Sequence, residues 1–364
     1  MTTASPSDRV TTPPAGPGTL SAAATPSGAA PAGPGLLELV VHSMTMASER
    51  VLLVELRDPS GAELPAFDPG SHVDLHVGGM IRQYSLINDN AERHRWLIGV
   101  LRQDDGRGGS AHVHDVLRVG GRVRVSAPRT MFRLEPAGGP VTLLAGGIGV
   151  TPLAAMAERL HRDGADFTLH HYARSAAARP LSEHLAGRPW ADRVVAHHGD
   201  EGDSFRNAPD VPGAWTDGAT LYLCGPAGFI EAGVERALAA GWPDDAVRVE
   251  RFAAAPKPAG PGASGAGGAA NDADPDGPFD VVAASTGSRM RVEAGETIAE
   301  VLQRHGHHVE LSCEMGICGS CLTGVLAGAP DHRDEVQTAA EHASNSMINV
   351  CCSRARCAEL TLDI

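Results

Sequence analysis

Lysine and aromatic side chains are scarce in this sequence. Only Lys257 among the 30 basic residues is a lysine, and aromatic residues make up 4% of the 364 positions. Acidic residues outnumber basic ones by 44 to 30, which sets the formal net charge at −14. A nucleic-acid-binding protein normally carries a basic patch or an excess of basic residues. The composition therefore predicts no nucleic-acid partner.

Long apolar runs are also missing. The nearest one, residues 141–157, is interrupted by three glycines and a proline, so we expect no membrane span and no membrane partner. The first residues lack the basic and apolar pattern of a secretory signal. Only Cys224 precedes residue 313, and the other six cysteines follow it. One dense cluster, unlike scattered disulfide cysteines, predicts a metal site in a reducing cytoplasm.

Two segments have almost nothing to bury. Residues 1–35 contain 30 Ala, Pro, Ser, Thr or Gly, and residues 253–278 contain 21 Ala, Gly, Pro or Ser. The first is predicted to be a disordered tail and the second a flexible linker. They leave two ordered stretches, 36–252 and 279–364, and a change of pattern divides the first into 36–137 and 138–252.

The three ordered parts differ in pattern. Residues 36–137 read as short strands with one helix near 111–117, which predicts an antiparallel barrel. Residues 138–252 alternate strand and helix, as in a parallel α/β sheet, with Thr151 expected as the cap of the first helix and Pro152 at its first position. Residues 279–364 begin with two strands and a helix near 297–305, followed by the cysteines and further strands.

The cysteine spacing is the most specific motif in the chain. Cys313, Cys318 and Cys321 are local ligands, and Cys351 or Cys352 follows about thirty residues later. This spacing is typical of a plant-type 2Fe–2S cluster, and the glycines between the cysteines allow a tight loop around it. A structural zinc site is the alternative, although zinc sites usually pair two short cysteine knuckles.

Two glycine-rich turns each precede a helix and predict phosphate binding. The first, over residues 106–110, follows the strand segment RQYSL at residues 82–86; the second, GGIGVTP, covers residues 146–152. Free backbone N–H groups at a helix start favour phosphate groups. Cys224, Gly225 and Pro226 end a later strand, where α/β sheets bind ligands.

These motifs, in this order, resemble the phthalate dioxygenase reductase and vanillate demethylase reductase family. The resemblance covers residues 36–364 and rests on RxYSL, GGxGxTP, CGP, and CEMGICGSC with CCSRA. It implies a multidomain fold: an antiparallel β-barrel for flavin, an α/β parallel sheet for the nucleotide, and a β-grasp 2Fe–2S ferredoxin domain. It also favours Cys351 as the fourth ligand, and implies FMN as the flavin.

The resemblance assigns site residues to each group. For FMN they are Arg82, Gln83, Tyr84, Ser85, Gly108, Gly109 and Ser110. For NADH, with NADPH possible, they are Gly146, Gly147, Gly149, Thr151, Pro152, Arg174, Cys224, Gly225 and Pro226. Arg174 could instead be solvated, and Cys224 could instead be a buried apolar cysteine. For the cluster they are Cys313, Cys318, Cys321 and Cys351. No catalytic acid or base is expected, because the cofactors carry the chemistry.

The implied function is that of an NAD(P)H-dependent reductase. It would pass electrons from NADH through FMN and the 2Fe–2S cluster to a terminal Rieske-type oxygenase. Two alternatives stay open: the same chain of carriers could serve a haem monooxygenase, or the protein could be a non-catalytic redox sensor. The histidine pairs at 170/171, 197/198 and 307/308 lack ligand spacing, and we expect them to be surface or hydrogen-bonded residues.

Overall fold

The computed structural model describes residue 1, residues 35–252 apart from 105, 107, 137 and 209, and residues 276–364. The tail predicted over 1–35 and the linker predicted over 253–278 lie almost entirely outside the described residues. No helix in the described parts of the chain is long and apolar enough to cross a membrane. The predicted domain boundaries stay predictions.

The first part is an antiparallel barrel of seven strands with one short helix. Its elements are β1 (Leu36–Ser48), β2 (Val51–Arg57), β3 (Ser71–Val77), β4 (Met80–Ser85), β5 (Trp96–Leu101), α1 (Gly109–Asp115), β6 (Arg122–Ser126) and β7 (Arg129–Thr130). The strands pair in the order β4-β3-β6-β1-β2-β5, with β7 on β3. A bridge between Leu86 and Ile98 links the ends of β4 and β5. The curved sheet encloses a core that includes Trp96.

The second part is a five-stranded parallel sheet with helices on it. Its elements are β8 (Val141–Gly146), α2 (Val150–Arg162), β9 (Phe167–Ala173), α3 (Ser182–Ala186), β10 (Val194–His198), β11 (Thr220–Gly225), α4 (Ala227–Ala239) and β12 (Val247–Arg251). The strand order β10-β9-β8-β11-β12 reverses direction between β8 and β11. Ligands of open parallel sheets bind at such a switch point, beyond the carboxyl ends of the strands.

The third part is a mixed sheet with a helix packed on it, the β-grasp arrangement. Its elements are β13 (Phe279–Ala283), β14 (Ser288–Val292), α5 (Ile298–Arg304), β15 (Leu322–Ala327), β16 (Pro330–Asp331), α6 (Ala339–Ser344), β17 (Met347–Asn349), β18 (Arg354–Ala355) and β19 (Glu359–Asp363). The sheet order is β14-β13-β19-β15-β17, and β16 pairs with β18. Thr297 and Glu300 form a capping box at the start of α5. The long loop between α5 and β15 carries three of the four predicted cluster ligands.

The start of α2 differs from the sequence prediction. A 3-10 turn over Gly147–Gly149 leads directly into the helix, which begins at Val150 with Gly149 as its cap. Thr151 and Pro152 therefore occupy the second and third helical positions, not the cap and first position. Proline is tolerated there because the first N–H groups of a helix have no intrahelical partner. The hydroxyl of Thr151 donates instead to the carbonyl of Ile148 at 3.0 Å.

Candidate functional site

One cavity of about 850 Å³ lies where the barrel, the parallel sheet and the cysteine loop meet. The barrel contributes Arg82, Gln83, Tyr84, Ser85, Gly109 and Ser110 from the predicted flavin site. The parallel-sheet part contributes Thr151 and the cysteine loop contributes Cys313 and Cys318. Residues from all three predicted sites therefore line one space.

The flavin strand β4 and the start of α1 are packed tightly together. A Cβ atom on Gly109 would lie 2.5 Å from Cγ of Arg82, so only glycine lets the arginine pass this close to the helix. Gly108 has a φ of 82°, a left-handed conformation that favours glycine. The hydroxyl of Ser110 accepts from the backbone N–H of Gln103 at 3.1 Å. This corner places a cation beside backbone amides, as a phosphate group requires.

Tyr84 lies further along the same strand. Burial raises the pKa of its phenol to about 12, and the ring forms part of the cavity wall. The next side chain, Ser85, is buried as well. A neutral aromatic ring and a hydroxyl in the cavity wall fit a planar, mostly apolar ligand with polar edges.

A polar network around the buried Asp74 joins the barrel to the cysteine loop. Asp74 accepts hydrogen bonds from the guanidinium of Arg129 at 2.6 Å and from the hydroxyl of Ser312 at 2.7 Å. The amide of Gln83 lies 3.3 Å from the same carboxylate. Ser312 directly precedes Cys313, so this network ties the predicted cluster loop to the flavin strand.

The two predicted nucleotide motifs abut at the switch point of the parallel sheet. A Cβ atom on Gly149 would lie 2.2 Å from the carbonyl oxygen of Cys224, and one on Gly146 would collide with Phe229 and Pro226. Gly147, with a φ of 55°, makes the turn between them. The loops after β8 and β11 can approach this closely only because they carry glycines.

His171 stabilises this turn through a hydrogen bond. Its Nε2 donates to the carbonyl of Gly147 at 3.1 Å, and the side chain is fully buried. Burial lowers the pKa of the ring to about 3, so the imidazole is neutral at ordinary pH. The sequence expectation of a hydrogen-bonded histidine is confirmed for this residue.

Cys224 lies beneath the cavity wall instead of on its surface. The residue is fully buried, and burial raises the pKa of its thiol well above the usual value. Its sulfur lies 4.0 Å from Oε2 of Glu250, which lines the cavity and whose pKa burial raises to about 8. Glu250, near the end of β12, is thus a site residue that sequence reasoning missed.

Two signals in the sequence could have identified the cavity residues Glu250, Phe252 and Ser312. The first two stand at the carboxyl end of the last parallel strand, at the sheet edge where ligands bind. Ser312 adjoins a predicted ligand.

Arg174, a predicted nucleotide-site residue, lies outside the cavity lining. Its side chain is exposed just after the end of β9, and its carbonyl accepts from Asp200 N–H at 2.8 Å.

The four predicted ligand thiols are all buried and form two pairs. Cys318 is in hydrogen-bond contact with Cys313, and Cys321 with Cys351. Together with burial, these contacts raise the pKa of Cys318 and of Cys321. Two pairs of thiols match two irons with two protein ligands each, whereas a zinc site would gather all four around one centre.

The loop around these thiols is shaped by left-handed residues. Gly316 and Gly319 have φ values of 77° and 68°. A Cβ atom on Gly316 would lie 2.6 Å from Sγ of Cys352, which packs behind the loop. Cys357 lies apart, where its sulfur accepts from the N–H of Ala329 at 3.1 Å. Cys351, not Cys352, adjoins Cys321, although its role as a ligand stays a prediction.

Comparison with known proteins matches this arrangement. Residues 283–356 match the model of the 2Fe-2S iron-sulfur cluster binding domain. Vanillate O-demethylase oxidoreductase from a Pseudomonas species is 40% identical over 331 residues, covering 90% of this chain and 100% of the relative. Phthalate dioxygenase reductase of Burkholderia cepacia is 35% identical over 336 residues, covering 91% and 98%.

The chain belongs to the phthalate dioxygenase reductase family. A solved phthalate dioxygenase reductase, described as a modular structure for electron transfer from pyridine nucleotides to [2Fe-2S], superposes with a TM-score of 0.69. It is 34% identical, and the match covers 91% of this chain and 98% of that one. An intact type IV self-sufficient cytochrome P450 monooxygenase gives a TM-score of 0.75 at 34% identity, covering 93% of this chain and 43% of the other.

Membership in the phthalate dioxygenase reductase family confirms several predictions. The fold class is as expected, and the protein is an oxidoreductase that carries electrons from a pyridine nucleotide through a flavin to a 2Fe–2S cluster. These relatives are named as enzymes, which argues against a non-catalytic redox sensor. The residues present fit the groups: four buried thiols for the cluster, and a cation beside helix amides for the flavin phosphate.

Proposed function

We propose that this chain oxidises NADH, binds FMN as its flavin, and supplies single electrons to a terminal Rieske-type oxygenase. The observation that carries the proposal is the shared cavity, whose wall includes Tyr84, Thr151 and Cys313 at once. A nucleotide, a flavin and a cluster held by these residues would be neighbours, so electrons would have a short path between them.

The flavin proposal rests on the corner formed by Arg82 and α1. When bound, FMN supplies a hydride acceptor that can release electrons singly. Arg82 would neutralise its phosphate, and the backbone N–H groups at Gly109 and Ser110 would bind the phosphate oxygens. One cation and one helix start suit the single phosphate of FMN.

The preference for NADH rests on the surroundings of Arg174. A 3-10 turn over Gly199–Glu201 adjoins the end of β9 and carries the carboxylates of Asp200 and Glu201. These carboxylates would oppose the 2′-phosphate of NADPH, whereas they would accept hydrogen bonds from the ribose hydroxyls of NADH. Gly146, Gly147, Gly149 and Pro226 would admit the pyrophosphate between the two loops.

The four thiols Cys313, Cys318, Cys321 and Cys351 would hold the cluster as thiolates. They must stay reduced for this, and we therefore place the protein in the cytoplasm. Iron would neutralise the negative charge of the four thiolates, which would otherwise repel one another in this buried position.

A haem monooxygenase is the second candidate for the terminal acceptor. The observation in its favour is the match over 93% of this chain with part of a self-sufficient cytochrome P450. Relatives such as phenoxybenzoate dioxygenase subunit beta of Ectopseudomonas oleovorans, 40% identical over 329 residues, favour a dioxygenase-type acceptor instead.

Purified protein tests the proposal directly. The released flavin should co-elute with FMN on chromatography, and kcat/KM with NADH should exceed that with NADPH by at least tenfold. Reduced protein should then be mixed with a purified Rieske oxygenase and with a purified P450, and the oxidation rate of the cluster followed by absorbance. FAD, an NADPH preference, or faster oxidation by the P450 would each overturn the corresponding part.

A further inference from the structure

A second group of metal-binding side chains lies behind the cysteine loop, separate from the four thiols. His332 follows β16, Asp334 comes two residues later, and His342 lies on α6. One ligand atom from each of the three lies within 4.8 Å of the other two. The two histidines lie too far apart in the chain for a short ligand-spacing motif to reveal this group. It forms only when the loop and α6 fold together.

Two of the polar atoms in this group are buried without a hydrogen-bond partner. Oδ1 of Asp334 and Nδ1 of His332 have none among the described residues, and they lie 3.9 Å apart, too far for a hydrogen bond to each other. The side chain of Asp334 is 0% exposed and that of His332 is 6% exposed. A buried carboxylate oxygen and a buried imidazole nitrogen that face each other unpaired are costly, and a cation between them would satisfy both.

The rest of each side chain is already oriented by a hydrogen bond. Nε2 of His332 lies 3.1 Å from Oδ1 of Asn345, and Oδ2 of Asp334 accepts from the N–H of Gln337 at 3.0 Å. A proton on Nε2 of His332 leaves the lone pair of Nδ1 for a metal. A histidine ligand whose second nitrogen donates to an oxygen acceptor is the usual arrangement around protein metal sites.

We propose that His332, Asp334 and His342 bind one divalent transition-metal ion, of which zinc is the representative, in addition to the 2Fe–2S cluster. Two imidazoles and one carboxylate, with a position left for water, form an established ligand set for such ions. Nε2 of His342 lies 3.2 Å from Oδ2 of Asp334. That contact is a hydrogen bond to Oδ2, so the ion would bind the unpaired Oδ1, and Nε2 of His342 would exchange its hydrogen bond for a bond to the ion.

Binding requires one local adjustment. The rings of His332 and His342 are stacked, with centroids 4.5 Å apart and an angle of 19° between their planes. Their lone pairs must converge on the ion, so the partly exposed His342 ring would tilt out of the stack and the buried His332 ring would stay in place. The exposed side of His342 also provides the route by which the ion enters.

The position of the site connects it to the cluster loop. Glu335, next to Asp334, donates its backbone N–H to the carbonyl of Gly316 at 3.0 Å, and its carboxylate lies 3.3 Å from Nε of Arg251 at the end of β12. An ion at Asp334 would therefore stiffen the segment that supports the cluster loop and meets the nucleotide-binding part.

The test uses the full-length protein with its flavin and cluster in place. The protein is treated with a mild chelator, dialysed against zinc chloride and then against buffer, and its zinc, iron and flavin contents are measured. We expect one zinc and two irons per flavin. His342→Ala and Asp334→Asn should each weaken zinc binding by at least tenfold while the 2Fe–2S absorption stays unchanged.

His308→Ala is the matched control, because it removes an exposed histidine of the same domain. It should bind zinc like the unchanged protein. Two irons without zinc in the unchanged protein would overturn the proposal and would leave water as the partner of the buried atoms. Zinc retained undiminished by the His342→Ala variant, with its cluster intact, would overturn it equally.

Discussion

At the scale of single residues, glycines decide how closely the binding loops can approach their neighbours. A Cβ atom at Gly149 would meet the backbone of Cys224, and one at Gly109 would meet the side chain of Arg82. The backbone fixes the position of a Cβ atom, so no rotation of a replacing side chain could relieve either contact. These residues therefore determine the geometry around the proposed ligands without contacting them through side chains of their own.

The fourth cluster ligand is predicted to be the first of two adjacent cysteines, Cys351 and Cys352. Because Cys351 adjoins Cys321 whereas Cys352 packs behind Gly316, Cys351→Ser should reduce normal cluster incorporation by more than tenfold. Cys352→Ser should leave it nearly unchanged. Iron per flavin and the visible circular dichroism of the purified variants measure this. The reverse pattern would move the ligand one residue along the chain.

The phosphate corner predicts a selective loss of flavin. Arg82→Ala removes the cation beside α1, so FMN should bind at least tenfold more weakly while the 2Fe–2S absorption stays intact. Fluorescence of released flavin after dilution measures the affinity. Arg122→Ala, an exposed arginine of the same barrel, serves as the control. Full flavin occupancy in the Arg82 variant would remove this residue from the site.

At the scale of elements, β9 supports the nucleotide turn through a neutral histidine. The pKa of His171 is about 3 in the folded protein because of burial, and about 6.5 in an unfolded chain. The unfolded state thus binds more protons below pH 6.5, and this stabilising contribution, complete above pH 6.5, is lost as the pH falls toward 3. One such group changes the free energy of unfolding by up to about 1.4 kcal/mol per pH unit.

His171→Gln should flatten that pH dependence. Glutamine keeps an amide donor for the carbonyl of Gly147 but cannot take up the proton. Urea unfolding followed at several pH values between 7.5 and 5.5 should show a smaller decline for the variant than for the unchanged protein. Equal slopes would mean that His171 is protonated without cost in the folded state.

The contact between the cysteine loop and β3 predicts a kinetic effect. Ser312→Ala removes the 2.7 Å hydrogen bond to the buried Asp74, and a hydrogen bond to a charged group contributes about 1.5–3 kcal/mol. Reduction of the flavin by NADH should be unchanged, whereas transfer from flavin to cluster should slow several-fold in stopped-flow absorbance.

Ser288→Ala is the control for this contact, because Ser288 is an exposed serine of the same domain. It should behave like the unchanged protein, and iron content must be equal in all three samples. Unaltered flavin-to-cluster transfer in the Ser312 variant would show that the buried bond does not hold the two parts in their electron-transfer arrangement.

At the scale of the whole molecule, the order of the parts predicts which reactions survive truncation. The fragment 36–252 should still reduce ferricyanide with NADH, because ferricyanide accepts electrons from flavin directly. It should lose at least nine-tenths of its activity with cytochrome c, which would need the 2Fe–2S domain. A fragment as fast as the full chain with cytochrome c would place the cluster outside the electron path.

Much of this protein is determined by its sequence alone. The period of apolar residues predicts the barrel strands and the parallel sheet, because each strand must bury one or both faces locally. Glycines before helix starts predict phosphate binding, and the cysteine spacing predicts an iron–sulfur cluster. Both are readable because backbone freedom and thiolate spacing are properties of short segments. The capping box of Thr338 and Glu341 at the start of α6 was readable in the same way, although the helix was not predicted.

Only the tertiary structure decided which of these short segments meet. Glu250, Ser312 and the group around Asp334 involve partners from separate elements, and their burial depends on how the sheets and loops pack. Cys224 illustrates the same limit: its motif predicts a residue of the nucleotide site, but only packing shows that its thiol is fully buried beside Glu250. Local sequence specifies conformation and chemistry, but distances between remote side chains arise only when the elements are assembled.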